Sequence, residues 1–288
     1  MGTSWRVRLA GTPGLDVAAL RAATQARLDG IVAEMSHWQA DSRLGRFNRA
    51  HKGAWLDLPP DFATVISAAL DIAAGSGGAF DPALGALVDL WGYGPVSVAV
   101  PPSDHAVQAA RAVSGWRLLD YYRQARRLRQ PGGLRLDLSG IAKGFAVDAI
   151  ADLLAQRGVR HCLAEIGGEL VGRGLRPDGD PWWVELENPP GVPLPPIRIA
   201  LHELAVATSG DYVRGAHTID PATGRPLANG VRSVSVLHAS AMLADAWASA
   251  LTVLGPDEGM AMARRAGLAV RLVTDREERL SPALAAML

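Results

Sequence analysis

Three short segments, far apart in the chain, carry residue types that could do chemistry together: Asp137-Leu138-Ser139-Gly140-Ile141-Ala142-Lys143-Gly144, residues 217–224 from His217 to Gly224, and residues 241–249 around Asp245. In the third, Asp245 and Ser249 stand four residues apart among good helix formers, so both side-chain oxygens face one side of a helix. A hard cation would find two oxygen ligands there. No basic residue lies within 242–254, and a buried carboxylate without a partner is costly, so the deficit of local counter-charge points to a metal. Magnesium takes one or two carboxylates plus waters and substrate phosphates, and so suits this sparse ligand set better than calcium does. A single cysteine and the lack of a His-x-x-x-His pair speak against structural zinc.

The first segment places Asp137 before Ser139-Gly140 and the first turn of an expected helix, where converging backbone N–H groups welcome an anion. Lys143 adds a positive charge for phosphate, whereas Asp137 suits a hydroxyl or polar ring edge, since carboxylates repel phosphates. An ordinary helix N-terminus with a solvated lysine would show the same residues. In the second segment, Asp220-Pro221-Ala222-Thr223-Gly224 is a turn signature. His217 beside it can act as a general base near neutral pH, with a nearby carboxylate to orient it.

Other chemistries are excluded by missing patterns. Ser209 has no Gly-x-Ser-x-Gly elbow around it, and no Gly-x-x-x-x-Gly-Lys-[Ser/Thr] loop exists. Gly172-Arg173-Gly174 lacks the third glycine of a dinucleotide fingerprint, so any dinucleotide is held without a Rossmann domain. Gly77-Gly78-Ala79-Phe80-Asp81-Pro82 could bring backbone close to a planar ring, and Trp38 could stack on one; core packing is the default reading of each.

The elements that must position these groups follow from periodicity and punctuation. Residues 5–10 alternate like a strand and 15–38 have helical spacing; 39–52 read as a polar loop. A helix over 60–75 ends at Gly77-Gly78, and Asp81-Pro82 would cap another through Asp89 or Trp91. Ser103 caps a helix to Val113, residues 116–136 read as a hairpin, and 140–157 form a helix ended by Gly158. Strands are expected at 161–166, 170–172, 182–186, 197–201, 205–207 and 231–237. Helices at 240–254 and 257–266 precede a closing strand at 268–274. Neither strict βαβ alternation nor an all-β run fits, so the class is α+β.

With 288 residues, 49% of them hydrophobic, and no linker, the chain reads as one large mixed domain, 1–288, or as two pseudo-equivalent halves of one. The 29 basic residues match the 29 acidic ones, which argues against nucleic acid as a partner. Arg123, Arg126, Arg127 and Arg129 read as a solvated turn, and Cys162 as a buried strand thiol. No stretch reaches the length of a membrane span, and no leader is visible. The location is cytoplasmic as written, or periplasmic if a leader was removed.

Taken jointly, these segments resemble the ApbE family, the FAD:protein FMN transferases. The likeness runs from Met1-Gly2-Thr3 through Met35-Ser36-His37-Trp38, Asp41-Ser42, Arg46-Phe47-Asn48, Phe80-Asp81-Pro82 and Leu90-Trp91-Gly92-Tyr93-Gly94. It continues through 137–148, Ile166-Gly167-Gly168-Glu169 and 207–212 to the His217 and Asp245 motifs. The resemblance implies magnesium-dependent transfer of FMN from FAD to a Ser or Thr hydroxyl of an acceptor protein, releasing AMP. It places Asp245, Ser249 and the carbonyl of Gly140 at the metal. Trp38, Ala79, Phe80, Asp81, Asp137, Lys143 and Ile219 would contact FAD, with Met1 at its edge, and His217 would take the acceptor's proton. Acceptors in the family are membrane electron-transport subunits or flavin-carrying domains. Family members often have Tyr where Trp38 stands and Thr where Ser249 stands, swaps that keep a stacking ring and a hydroxyl. The competing readings are an FAD pyrophosphatase using the same site with water, and a non-catalytic flavin-binding maturation factor, which would be expected to lose His217 or Asp245.

Overall fold

A computed structural model describes the chain apart from Met1, Gly2, Thr12, Pro13, residues 211–214 and Ala216. It is α+β, and the chain forms two compact units. The first comprises residues 1–29, 141–213 and 229–288; the second comprises 30–140 and 214–228. Their make-up differs.

The first unit is built on a seven-stranded sheet in the order Trp5–Leu9, Cys162–Ile166, Glu169–Arg173, Leu204–Ser209, Val231–His238, Ala269–Thr274, Glu278–Leu280, with every neighbouring pair antiparallel. Alternation along the strands decides what each face carries. Ala207, Val234, Val236, Val270 and Leu272 pack with Ala244, Ala248 and Leu251 of the helix Ala241–Arg265. Val206, Leu237 and Ala269, one residue out of phase, pack on the other face with Leu163, Ile199 and Leu201. Both faces are therefore buried, which explains why these strands are apolar almost throughout. The sheet ends in Glu278–Leu280 rather than at the 268–274 strand expected to close it.

Expected helices at 240–254 and 257–266 meet at Gly255, whose φ of 78° and ψ of −178° break the helix Ala241–Arg265 just before Pro256. Residues 140–157 give the helix Ala142–Gln156. Cys162 is buried as expected, and that burial pushes its thiol up to about 11.

The second unit holds the helices Arg43–Arg49, Pro60–Gly75, Gly85–Leu90 and Asp104–Ala112, and a small sheet of Trp55–Asp57, Arg127–Arg129 and Asp120–Tyr122. The helix Val17–Met35 starts in the first unit and ends in the second. Pro60 and Ser103 open helices where the sequence predicts, with Ser103 Oγ accepting from the Ala106 amide. Three expectations are corrected. The polar stretch 39–52 contains a helix, capped by Ser42 and anchored by the buried Leu44 and Phe47. Asp81-Pro82 does not start a helix: Asp81 accepts from the Ala83 amide in a turn, and the helix begins at Gly85. The hairpin of 116–136 shrinks to Asp120–Tyr122 and Arg127–Arg129 behind a short 3₁₀ turn at Trp116–Leu118. Residues 134–137 run on without a strand partner because other groups take their backbone. The Asn48 amide brackets Leu136, accepting from its N–H at 2.7 Å and donating to its carbonyl at 2.9 Å. Asp137 N–H donates to Pro82 O and Arg135 O accepts from Gly85.

Arg123 and Arg127 in the turn region are ion-paired at the surface, with Asp71 at 2.6 Å and Asp57 at 2.8 Å. No helix of the described residues is long and apolar enough to cross a membrane.

Candidate active site

In the first unit, the helices Ala142–Gln156 and Ala241–Arg265 are joined at their N-terminal ends by two carboxylates. Asp148 accepts from Ser240 Oγ at 2.7 Å and from the amides of Ala241 and Met242 at 2.9 and 3.0 Å. These are the otherwise unsatisfied donors of a helix start, so a side chain of one helix caps the next. Asp245 returns the contact, its Oδ2 accepting from the Gly144 amide at 3.0 Å. The approach is close enough that a side chain at position 144 would run into the Ala241 carbonyl. Glycine is required there by space.

Asp245 is 5% exposed, and burial raises its pKa, opposed by the nearby Lys143 ammonium and the Gly144 amide. A basic group, which residues 242–254 lack, thus stands nearby in Lys143, a hundred residues earlier in the chain. Lys143 in turn donates to Oε1 of Glu169, which is 1% exposed at the start of the strand Glu169–Arg173. Glu169 is pushed up to about 7, by burial first and by the Asp245 carboxylate second, against the pull of Lys143. Its other oxygen, Oε2, is buried with no hydrogen-bond partner. Two carboxylates face one ammonium in a buried place, an excess of negative charge that a hard dication would resolve. Ser249, one turn beyond Asp245, is half-buried on the same helix face. The residues present therefore fit an oxygen-seeking dication, although no cluster of three or more His, Cys, Asp or Glu occurs among the described residues.

In the second unit, Asp137 is 14% exposed and accepts from the Ser139 amide at 2.9 Å and the Ser139 hydroxyl at 2.5 Å. His37 Nδ1 lies 3.4 Å from Asp137 Oδ1, and Trp38 follows, 53% exposed, with its ring 5.2 Å from that of His37. A cavity of about 400 Å³ is lined by His37, Trp38, Asn48, Asp89, Val96 and Arg135. The segment 76–81 leads into Pro82, whose carbonyl accepts from the Asp137 amide. Its turn uses positive φ at Gly77 (68°) and Gly78 (94°), and Ser76 Oγ accepts from the Phe80 amide. Ala79 is half-buried; Phe80, 6% exposed, is core. Asp81 accepts from the amides of Ala83 and Trp116, yet burial outweighs these bonds and pushes it up to about 6.

Ile219 is also core, 5% exposed among Leu84, Leu87 and Val107. It pairs with Pro226 in a two-stranded hairpin, Ile219–Asp220 with Arg225–Pro226, whose turn Asp220 closes by accepting from the Ala222 amide and the Thr223 hydroxyl. Both Asp220 oxygens are thereby engaged in their own turn. His217, before this hairpin, has Nδ1 2.9 Å from the Gly215 carbonyl. A carbonyl only accepts, so the neutral ring carries its proton on Nδ1 and Nε2 is the basic nitrogen. The Gly215 carbonyl, rather than Asp220, thus meets Nδ1.

Gly140 precedes the helix Ala142–Gln156 in a turn, at the end of the second unit's share of 137–144, while Lys143 and Gly144 belong to the first unit. Met1 and the 211–212 part of the 207–212 motif lie outside the described residues. Glu169, Asp148 and His37 received no role from sequence reasoning. For Asp148 a signal existed: it stands four residues after Gly144, on the helix face that such a small residue marks for close approach. For Glu169 the signal was only its place in the Ile166–Glu169 segment of the resemblance, because its partner is 26 residues away.

A buried carboxylate and a hydroxyl on one helix face of the first unit make a candidate active site in an α+β protein. Comparison narrows the class. The sequence pattern of the ApbE family matches residues 1–272. A protein of Vibrio cholerae named FAD:protein FMN transferase is 36% identical over 290 residues, covering 96% of this chain and 86% of that protein. One of Klebsiella pneumoniae with the same name is 35% identical, over 96% of this chain and 83% of that protein. Among solved structures, the flavin transferase ApbE of Vibrio cholerae superposes with a TM-score of 0.94 at 35% identity, covering 100% of this chain and 96% of that one. The apo flavinyl transferase ApbE of Pseudomonas stutzeri gives 0.92 at 33% identity, covering 100% and 94%. The chain belongs to the ApbE family.

Proposed function

We propose that this protein transfers FMN from FAD to a Ser or Thr hydroxyl of an acceptor protein and releases AMP. The observation that carries the reading is the end-to-end match to relatives named for this transfer, and the groups described above supply chemistry suited to it. Trp38 offers an exposed aromatic face for a flavin ring. Asp137, acceptor-only when ionised, suits a ring N–H or ribose hydroxyl. Ala79, Phe80 and Ile219 serve through backbone and packing, since Phe80 and Ile219 bury their side chains. Lys143 has three N–H donors, so it can hold Glu169 and still meet a phosphate oxygen. Magnesium would be held by Asp245, Ser249 and the Gly140 carbonyl, and would supply neutralisation of pyrophosphate charge. His217 Nε2 removes the acceptor's hydroxyl proton as that oxygen attacks the FMN phosphorus in line and AMP departs.

The test is incubation of the chain with FAD, magnesium and a flavin-carrier domain. An acceptor gaining the mass of FMN with equimolar AMP is the expected result. AMP with free FMN and an unmodified acceptor, repeated with a second acceptor, would identify a pyrophosphatase instead.

A further inference from the structure

The pair Lys143–Glu169 poses a question that the proposed reaction leaves open. A lysine beside the buried carboxylate Asp245 should neutralise it, and a neutralised carboxylate is a poor ligand for a dication. Glu169 changes that balance. It is 1% exposed, its Oε1 accepts from Lys143 Nζ, and its Oε2 has no partner. Burying a second carboxylate so close to the first is unfavourable in a protein that needs only a stable core.

We infer that Glu169 is a positioning residue that holds the Lys143 ammonium in a closed ion pair, so that the charge of Asp245 stays available to a divalent cation. The inference rests on the reading of Asp245 as a cation ligand. Its physical content is charge counting at pH 8, where both carboxyls are taken as ionised: Lys143 and Glu169 cancel, Asp245 remains at minus one, and a dication entering beside it gains that charge undiminished. Without Glu169 the ammonium pairs with Asp245 and the net charge facing the cation falls to zero. Without both Glu169 and Lys143 it returns to minus one. Glu169 itself is not required to touch the metal.

The experiment uses the full chain without FAD and Mn²⁺ as the probe, bound metal being read from the loss of the free-ion electron paramagnetic resonance signal, with thermal midpoints recorded for each protein. Glu169→Gln should weaken Mn²⁺ binding between about tenfold and a hundredfold, the range for residues that support a metal ligand from behind. Lys143→Met alone should bind Mn²⁺ at least as tightly as the unaltered chain. The double substitution Glu169→Gln/Lys143→Met should recover most of the affinity lost in Glu169→Gln. A double variant as weak as Glu169→Gln overturns the inference, because an ammonium released onto Asp245 would then not be what weakened binding. Unchanged affinity in Glu169→Gln, with Asp245→Asn abolishing binding, overturns it too while leaving the cation site intact. Affinity unchanged by Asp245→Asn, or no Mn²⁺ bound by the unaltered chain, overturns the cation reading on which it rests.

Discussion

Asp245 and His217 are proposed for different steps, and single substitutions should separate them. Asp245→Asn keeps an oxygen that can accept from the Gly144 amide but removes the charge. FMN transfer should fall by more than about a hundredfold, a loss greater than that for a supporting residue. His217→Ala removes only the proton acceptor. Transfer should fall by about 10²–10⁴-fold, the usual worth of a general base, while FAD affinity, read from quenching of flavin fluorescence, stays within about threefold because a factor that small is under 1 kcal/mol. Equal loss of FAD affinity in the two variants would contradict these roles. The orientation of His217 adds a finer expectation. Its Nδ1 is committed to a backbone carbonyl, so replacing Asp220 with Asn, which can still accept from the Ala222 amide, should leave the transfer rate close to that of the unaltered enzyme.

At the scale of elements, the site depends on how two helices start. Asp148 caps the helix Ala241–Arg265 from its neighbour and Gly144 lets the two approach, so Asp245 is placed by residues that take no part in the chemistry. Asp148→Ala should cost about 2 kcal/mol or more, the sum expected for a lost cap and lost charge-assisted hydrogen bonds, seen as a lower urea midpoint with an unchanged slope. Gly144→Ala should cost about 1–3 kcal/mol, as overpacking does, because its new methyl would meet Met242 Cα at 2.8 Å and the Ala241 carbonyl closer still. Backbone cannot turn aside as a side chain can, so Mn²⁺ affinity should fall with stability. These elements were legible in the sequence to unequal degrees. Helices opened by Pro60 and Ser103, and the break at Gly255-Pro256, were readable because their signals are local. The helix Arg43–Arg49 was not, since seven residues with two buried large side chains give no period to detect. Residues 134–137 misled for another reason: Asn48 supplies the hydrogen bonds of a strand from 88 positions away. The candidate site shows the same division. Asp245 with Ser249, and His217 with its turn, are local patterns, whereas Glu169 and Asp148 acquire their partners only in the folded chain.

For the whole molecule, the chain's zero formal charge hides an uneven distribution of titration. Among the described residues four carboxyls are held above their ordinary range, chiefly by burial: Asp81 at about 6, Glu169 at about 7, and Asp148 and Asp245 in the same direction. A carboxyl with a raised pKa binds its proton more tightly in the folded chain than in the unfolded one. Its contribution to stability is full below the unfolded value and disappears as pH rises through the folded value. For Asp81 that window runs from 3.8 to about 6, and for Glu169 from 4.5 to about 7. In the absence of divalent ions, the thermal midpoint should therefore be higher at pH 5 than at pH 8, most of the change falling between the two. Asp81→Asn, which retains an oxygen to accept from the Ala83 amide, should flatten the lower part of this dependence. Magnesium should act oppositely, because a cation held by Asp245 favours the deprotonated carboxyl and stabilises only the folded chain. Added at pH 8 it should raise the midpoint, at pH 5 much less, and in Asp245→Asn at neither. A midpoint that climbs from pH 5 to pH 8 without magnesium would contradict the raised values of Asp81 and Glu169, whose contributions can only be lost over that range.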